Sequence, residues 1–269
     1  MILFPNCKIN LGLNIVRKRA DSFHDLETVF YPLALLDVLE ILPSERFGFK
    51  LSGLGIPGDE KNNLCVRAAT LIKKDYPSLP EMEILLHKCI PVGSGLGGGS
   101  SDGAHTLKII NELFAIGLSE DQMLQYALQL GSDCPFFVLN RPCFAKGRGE
   151  LLEEIPLELS CYSFLIVHTG IHVDTGWAFS KITAKLPGIP LKEIIIQPLS
   201  DWKSLLRNDF EEPVMHKFPQ LNAVKENLYD KGALYAAMTG SGSSLYGIFK
   251  KGTIPSISFD ENYHTVVIP

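Results

Sequence analysis

Pro91-Val92-Gly93-Ser94-Gly95-Leu96-Gly97-Gly98-Gly99-Ser100-Ser101-Asp102 places five glycines in seven positions, a density that side-chain packing does not require. Glycine admits positive φ and lets backbone N–H groups approach a ligand closely. A predicted strand over 81–90, in which Met82, Ile84 and Leu86 alternate, leads into the segment. A predicted helix running to about Phe114 leaves it. The free N–H groups and positive dipole end of such a helix favour an anion. A plain turn capped by Ser101 or Asp102 is the competing reading, but a cap needs one polar residue and not five glycines.

Two known phosphate loops nearly fit. Gly93-x-Gly95-x-x-Gly98 satisfies the dinucleotide fingerprint, but that motif wants a second strand ending in an acidic residue about 20 residues on. Here Gly117 and another predicted helix, Asp121 to Leu130, follow instead. In a P-loop alignment the lysine position falls on Gly99, so this cradle lacks its own cation. The missing charge must come from elsewhere in the chain or from a metal. Ser100 and Ser101 add hydroxyls that can reach a phosphate oxygen or Mg²⁺.

Outward from the loop, the chain of 269 residues is long enough for one large domain or two modest ones. A hydrophobic share of 46% with 20% charged residues describes a globular protein and excludes disorder. The net charge of −5 gives no long-range attraction for nucleic acid. The N-terminus carries no signal-peptide pattern and no segment reaches the length of a membrane span, so a cytoplasmic protein is expected. The six cysteines lie in no CxxC pair and read as reduced thiols. His168 and His172 are spaced i, i+4, but Thr169-Gly170 between them breaks helical geometry and argues against a metal site.

Before the loop, Ile9, Leu11, Leu13 and Ile15 alternate as in a half-buried strand, and 25–42 read as two more strands. Residues 63–76 have helical spacing with Asn62 or Asn63 as cap. Asp133 follows Gly131 and precedes Cys134-Pro135-Phe136-Phe137, which reads as an apolar strand with the carboxylate at its mouth. Past about 150, a strand over 162–167, a helix over 175–185, helix over 201–230 broken at Pro213 and Pro219, and a hairpin around Gly240-Ser241-Gly242 are predicted. Strands and helices mix without strict βαβ alternation, so the class is α+β. On pattern alone Asp133 is equally a turn residue, and Lys8 a solvent-facing strand lysine.

Pro-x-Gly-x-Gly-Leu-Gly-Gly-Gly-Ser-Ser resembles the ATP-binding loop of the GHMP kinases, named after galactokinase and the homoserine, mevalonate and phosphomevalonate kinases. Other blocks match the family too. They are Asn6-Cys7-Lys8-Ile9-Asn10-Leu11, Arg19-Ala20-Asp21-Ser22-Phe23-His24-Asp25, Asn63-Leu64-x-Val66-Arg67-Ala68-Ala69, Leu130-Gly131-Ser132-Asp133-Cys134-Pro135, Gly147-Arg148-Gly149-Glu150 and Thr239-Gly240-Ser241-Gly242-Ser243-Ser244. The R-x-D-x-F-H block is the most specific. It resembles the branch that phosphorylates a cytidine-diphosphate-linked methylerythritol at its C2 hydroxyl, in the non-mevalonate route to isoprenoids. A homoserine- or mevalonate-type kinase is the alternative.

The resemblance implies a two-domain α+β GHMP kinase fold. An N-terminal nucleotide domain of the ribosomal-protein-S5-domain-2 type would span 1–152, and a C-terminal ferredoxin-like α/β sandwich 153–269, with the active site in the cleft. ATP with Mg²⁺ and a small-molecule substrate are the implied partners, without nucleic acid or membrane, in a monomer or homodimer. Lys8 and Asp133 are the implied catalytic pair, Asp133 also touching the substrate. Pro91, Val92, Gly93, Ser94, Gly95, Leu96, Gly97, Gly98, Gly99, Ser100 and Ser101 would hold the phosphates, and Asn63 would lie near the adenine. Asn10, Phe23 and His24 would hold the cytosine end, with Thr175 and Phe179 closing the pocket and Gly240 and Ser241 approaching the reacting group. Ser22 stands where the family usually has Gly, Phe23 where Tyr is common, and Cys7 where Ala is usual.

Overall fold

A computed structural model describes residues 1–254 and 259–269. The chain begins with β1 (Ile2–Leu3), β2 (Asn6–Lys18), β3 (His24–Leu36), β4 (Val38–Ser44) and β5 (Gly48–Gly53). There follow α1 (Leu64–Asp75), β6 (Glu81–Lys88), α2 (Gly98–Leu113), α3 (Glu120–Leu130) and α4 (Cys134–Leu139). Next come β7 (Cys143–Lys146), β8 (Leu151–Glu154), β9 (Tyr162–His168), α5 (Thr175–Ser180), α6 (Leu191–Ile195) and α7 (Leu199–Leu205). The last elements are α8 (Glu211–Lys217), α9 (Pro219–Asp230), β10 (Tyr235–Met238), β11 (Leu245–Lys250) and β12 (His264–Ile268). Among the described residues the sheets are ordered β1-β4-β6-β5, β2-β3-β7-β8 and β10-β11-β9-β12. No helix among them is long and apolar enough to cross a membrane.

The chain packs as two compact units. The first holds Met1–Lys8, Ala34–Val92 and Gly97–Arg141; the second holds Ile9–Leu33, Gly93–Leu96 and Pro142–Pro269.

In the first unit, α2 lies on β1 and β4, and α1, α3 and α4 pack against α2. The strict alternation of β6 sends Met82, Ile84 and Leu86 into this core, each at most 1% exposed. Asn63 starts α1 by accepting a hydrogen bond from the Cys65 N–H at 2.8 Å. Ser119 and Gln122 form a reciprocal capping box at the start of α3. The second unit is organised around β9, flanked by β11 and β12, with α9 packed on β10 and β11. Leu13 and Ile15 from β2 join Val167, Phe210, Val224, Leu228 and Phe249 in its core.

Four local expectations change. β2 is buried on both faces from Asn6 through Leu13, not half-buried, so Lys8 and Asn10 lie inside the protein. The apolar run after Asp133 is α4, not a strand. A short continuous apolar run is ambiguous by period, and here Cys134 through Val138 are all buried as one helical segment. The helix predicted over 175–185 stops at Ser180, its end closed by Lys181 N–H to Ala178 and Phe179 carbonyls. Pro213 does not break helix: it sits in the first turn of α8, where its missing N–H has no intrahelical partner to lose, and the chain instead turns at 206–210.

All six cysteines are free thiols. Cys7, Cys65, Cys134 and Cys143 are buried, Cys89 is half-buried and Cys161 is exposed.

Candidate active site

α2 begins one residue after Gly97, whose φ of 73° is left-handed; Ser101 and Asp102 therefore lie inside the helix and do not cap it. Packing does account for part of the glycine density. A Cβ on Gly97 would sit 2.9 Å from Phe137 Cζ and 3.1 Å from Lys8 Cγ, and one on Gly98 would sit 2.8 Å from Ile90 Cγ2. In the second unit, a Cβ on Gly95 would sit 2.1 Å from the Thr239 carbonyl oxygen. Gly93 and Gly99 differ: nothing lies within 4 Å of a Cβ added there. Gly99 is helical and exposed, so packing gives no reason for glycine, whereas close approach of a ligand to the helix N-terminus does.

The two candidate hydroxyls separate. Ser101 is fully buried and contacts His105 Nδ1 at 3.3 Å. Ser100 is half-buried on the next position of the turn and hydrogen-bonds the Cys134 thiol. Of the pair, Ser100 alone keeps its hydroxyl where a phosphate or its metal could reach. Among the described residues no group of three or more His, Cys, Asp or Glu could hold a metal ion. Asn63, expected near the adenine, spends its side-chain oxygen on the cap of α1.

Lys8 and Asp133 come together in the first unit. Nζ of Lys8 stands 3.6 Å from Asp133 Oδ2, with side chains 3% and 33% exposed. Asp133 occupies the cap position of α4, yet its side chain makes no cap hydrogen bond, which leaves the carboxylate facing the lysine. Burial pushes the Lys8 ammonium below its ordinary range, and the Asp133 charge opposes that shift.

The residues expected at the cytosine end lie in the second unit. His24 stacks on Phe179 at 4.9 Å and 16°, and Phe179 meets Phe210 edge-on at 4.9 Å. Phe23 is not part of that stack. It is 51% exposed and carries the Arg148 guanidinium over its ring at 4.4 Å. Thr175 and Ser241 touch through their hydroxyls at 3.1 Å. Asn10 is 2% exposed and its side-chain amide is engaged at both ends, donating to Thr28 Oγ1 at 3.0 Å and accepting from Thr239 at 3.2 Å. Gly240 has φ 57°, and a Cβ there would sit 3.2 Å from the Gly95 Cα. The hairpin turn is thus laid directly on one end of the glycine loop.

The family signatures of the GHMP kinases N-terminal domain and the GHMP kinases C-terminal region match residues 63–141 and 191–258. A 4-diphosphocytidyl-2-C-methyl-D-erythritol kinase of Bacteroides thetaiotaomicron is 48% identical over 267 residues, covering 97% of each chain. The chain belongs to the GHMP kinases. A crystal structure of 4-(cytidine 5'-diphospho)-2C-methyl-D-erythritol kinase superposes with a TM-score of 0.80 at 31% identity, over 92% of this chain and 90% of that one. The homoserine kinase of Cytophaga hutchinsonii, at 16% identity and a TM-score of 0.66 over 98% and 95%, shares the fold. The two-domain α+β architecture is therefore that of a GHMP kinase.

Within this GHMP kinase, two polar residues near the expected site carry bonds to which the motifs assigned no role. Thr239 donates towards both Asn10 and the Gly95 carbonyl, and Asn208 Nδ2 donates to the Met238 and Gly240 carbonyls at 2.8 and 2.9 Å. Both brace the hairpin turn. Asn208 belongs to no block and falls within a stretch read as helix, so nothing in the sequence marked it. The Ser22 departure has a backbone meaning: its φ is 68°, the left-handed region where glycine is unstrained.

Proposed function

We propose that this chain is an ATP-dependent kinase acting on the C2 hydroxyl of 4-diphosphocytidyl-2-C-methyl-D-erythritol, with residues 1–152 as nucleotide domain and 153–269 as C-terminal domain. The observation that carries the chemistry is the Lys8–Asp133 pair, a buried ammonium against a partly exposed carboxylate. The kinship with a kinase of that name at 48% identity supports the substrate. The six free thiols support a cytoplasmic place.

In this reading the acceptor oxygen attacks the γ-phosphorus, a new O–P bond forms, and the bond to the β–γ bridging oxygen breaks to release ADP. The hydroxyl proton passes to Asp133. Lys8 holds that carboxylate in place and offsets negative charge as the oxygen becomes nucleophilic. The backbone N–H groups at the start of α2 receive the phosphates, and Gly99 leaves them room. Ser100 is the hydroxyl that would help hold a Mg²⁺ bound with ATP, which would supply charge neutralisation at the phosphates. His24 and Phe179 supply the aromatic surface for the cytosine, and Phe23 adds a second exposed ring.

Turnover of ATP with the cytidyl compound, homoserine and mevalonate, for wild type and Asp133→Asn, tests the proposal. The cytidyl compound is expected to be the one consumed. Equal turnover by Asp133→Asn would remove the proposed base, and turnover with homoserine or mevalonate alone would replace the substrate.

A further inference from the structure

Lys88, at the end of β6, lies under the first turn of α2 and is bonded to two carboxylates. It is 2% exposed and donates to Asp37 and, at 2.7 Å, to Asp102 Oδ2. Asp37, fully buried between β3 and β4, uses its other oxygen to accept the N–H groups of Cys89 and Ile90 at 2.6 and 2.9 Å. Those two residues lead directly into the glycine loop. Asp102 belongs to the helix that leaves it. Both stems of the loop are therefore fastened to one ammonium. Gly98 completes the closure: a Cβ there would lie 3.2 Å from Lys88 Nζ.

We propose that Asp37, Lys88 and Asp102 form a positioning clamp that fixes the spacing of the two stems, so that nucleotide affinity depends on it while the chemical step does not. Three charged groups at 0–2% exposure are not retained for stability alone, because well-packed apolar residues usually serve a core as well or better. What hydrogen bonds add is fixed geometry. The clamp also has to tolerate anions nearby, and two carboxylates against one ammonium would leave it net negative. Asp102 resolves this. Its Oδ1 is buried and has no hydrogen-bond partner among the described residues. Burial pushes its carboxyl up to about 8, Asp37 adds to the rise, and Lys88 opposes it. The further titratable group facing it is the Cys65 thiol from α1. A proton on Asp102 makes the clamp neutral and makes asparagine its near-isostere.

The inference rests on reading the loop as an ATP cradle, so binding is measured without any acceptor. Titration calorimetry with magnesium adenylyl imidodiphosphate is run on the full chain as wild type, Asp102→Ala, Asp102→Asn and Lys88→Met, alongside KM for ATP and kcat. Asp102→Ala is expected to weaken binding and raise KM by about tenfold or more, as misplacement of a binding element does, with kcat at saturating ATP nearly unchanged. Asp102→Asn should restore most of the affinity. If Lys88→Met does not fold, the Ala and Asn pair still decides. Wild-type affinity in Asp102→Ala, a fall in kcat with KM unmoved, or an Asn variant as weak as Ala would each overturn the clamp. No nucleotide binding by the wild type would instead overturn the reading of the cradle, and the clamp with it.

Discussion

The Lys8 ammonium lies 3.6 Å from the Asp133 carboxylate, and the lysine is the buried partner of the two. The asymmetry suits the proposed base: the carboxylate, which would meet substrate, is the group that solvent reaches. Asp133→Asn is expected to lower kcat by about 10²- to 10⁴-fold, the range for losing a general base. Lys8→Met should lower kcat as well, with KM for ATP less affected. Steady-state kinetics on both variants check this.

The same burial sets a pH limit. Lys8 loses its proton below the ordinary 10.5 because burial disfavours the charge. Between the lowered value and 10.5 the unfolded chain binds more protons than the folded one, so Lys8 makes folding more favourable as pH rises through that window. Activity should run the other way, since the proposed mechanism needs a protonated Lys8 beside Asp133. The alkaline limb of the kcat profile should begin below the usual lysine range. A limb that persists unshifted in Lys8→Met would show that another group controls it.

Two glycines of one loop should behave oppositely. Gly97→Ala puts a methyl into Phe137 and Lys8 at a positive φ, and a loss of at least about 1–2 kcal/mol is expected in urea unfolding. Gly99→Ala adds a methyl into open space on a helical residue, which stabilises by about 0.5–1 kcal/mol. Its ATP affinity should nevertheless fall. A stabilised variant that binds nucleotide poorly would mark Gly99 as the point of phosphate approach.

His24 and Phe179 present one stacked pair. Phe179 also packs edge-on against Phe210, so its truncation costs stability; His24→Ala is the cleaner probe. A nucleobase stacked on aromatic surface gains about 1–3 kcal/mol, so KM for the cytidyl substrate should rise by about tenfold or more while KM for ATP holds. A rise in both would point to a general disturbance of the fold.

His105, two turns into α2, has its pKa lowered from 6.5 to about 4 by burial. From pH 6.5 down to 4 the unfolded chain takes up a proton that the folded chain refuses. Its contribution to stability is therefore lost as pH falls, by on the order of 3 kcal/mol across the window. Urea unfolding at pH 7 and pH 4.5 should show a shallower decline for His105→Gln than for wild type.

Much of the fold was readable because its signals are local. The alternation of Met82, Ile84 and Leu86, the Asn63 cap and the helical stretch ending at Leu130 each state a backbone preference within a few residues. The burial of β2 on both faces was not readable, because Lys8 and Asn10 look like an outward face until their partners are brought in by tertiary structure. Cys134 to Leu139 failed for a different reason: an unbroken apolar run carries no period to separate strand from helix. At the site, Lys8 and Asp133 are 125 positions apart, and no spacing rule joins them; only the likeness to other kinases did. Asp37, Lys88 and Asp102 were hidden in the same way, each an ordinary charged residue until the loop stems close over them.

The position of Cys134 has a chemical consequence. The thiol is next in sequence to the proposed base, yet it is fully buried, it meets the Ser100 side chain, and burial holds its pKa up to about 12. A thiolate does not form there at physiological pH, so electrophiles that hunt active-site cysteines pass this one by. Cys161, the exposed thiol, takes the reagent first, ahead of the half-buried Cys89. A maleimide dye should mark Cys161 fastest on the native chain and leave the phosphoryl-transfer machinery working.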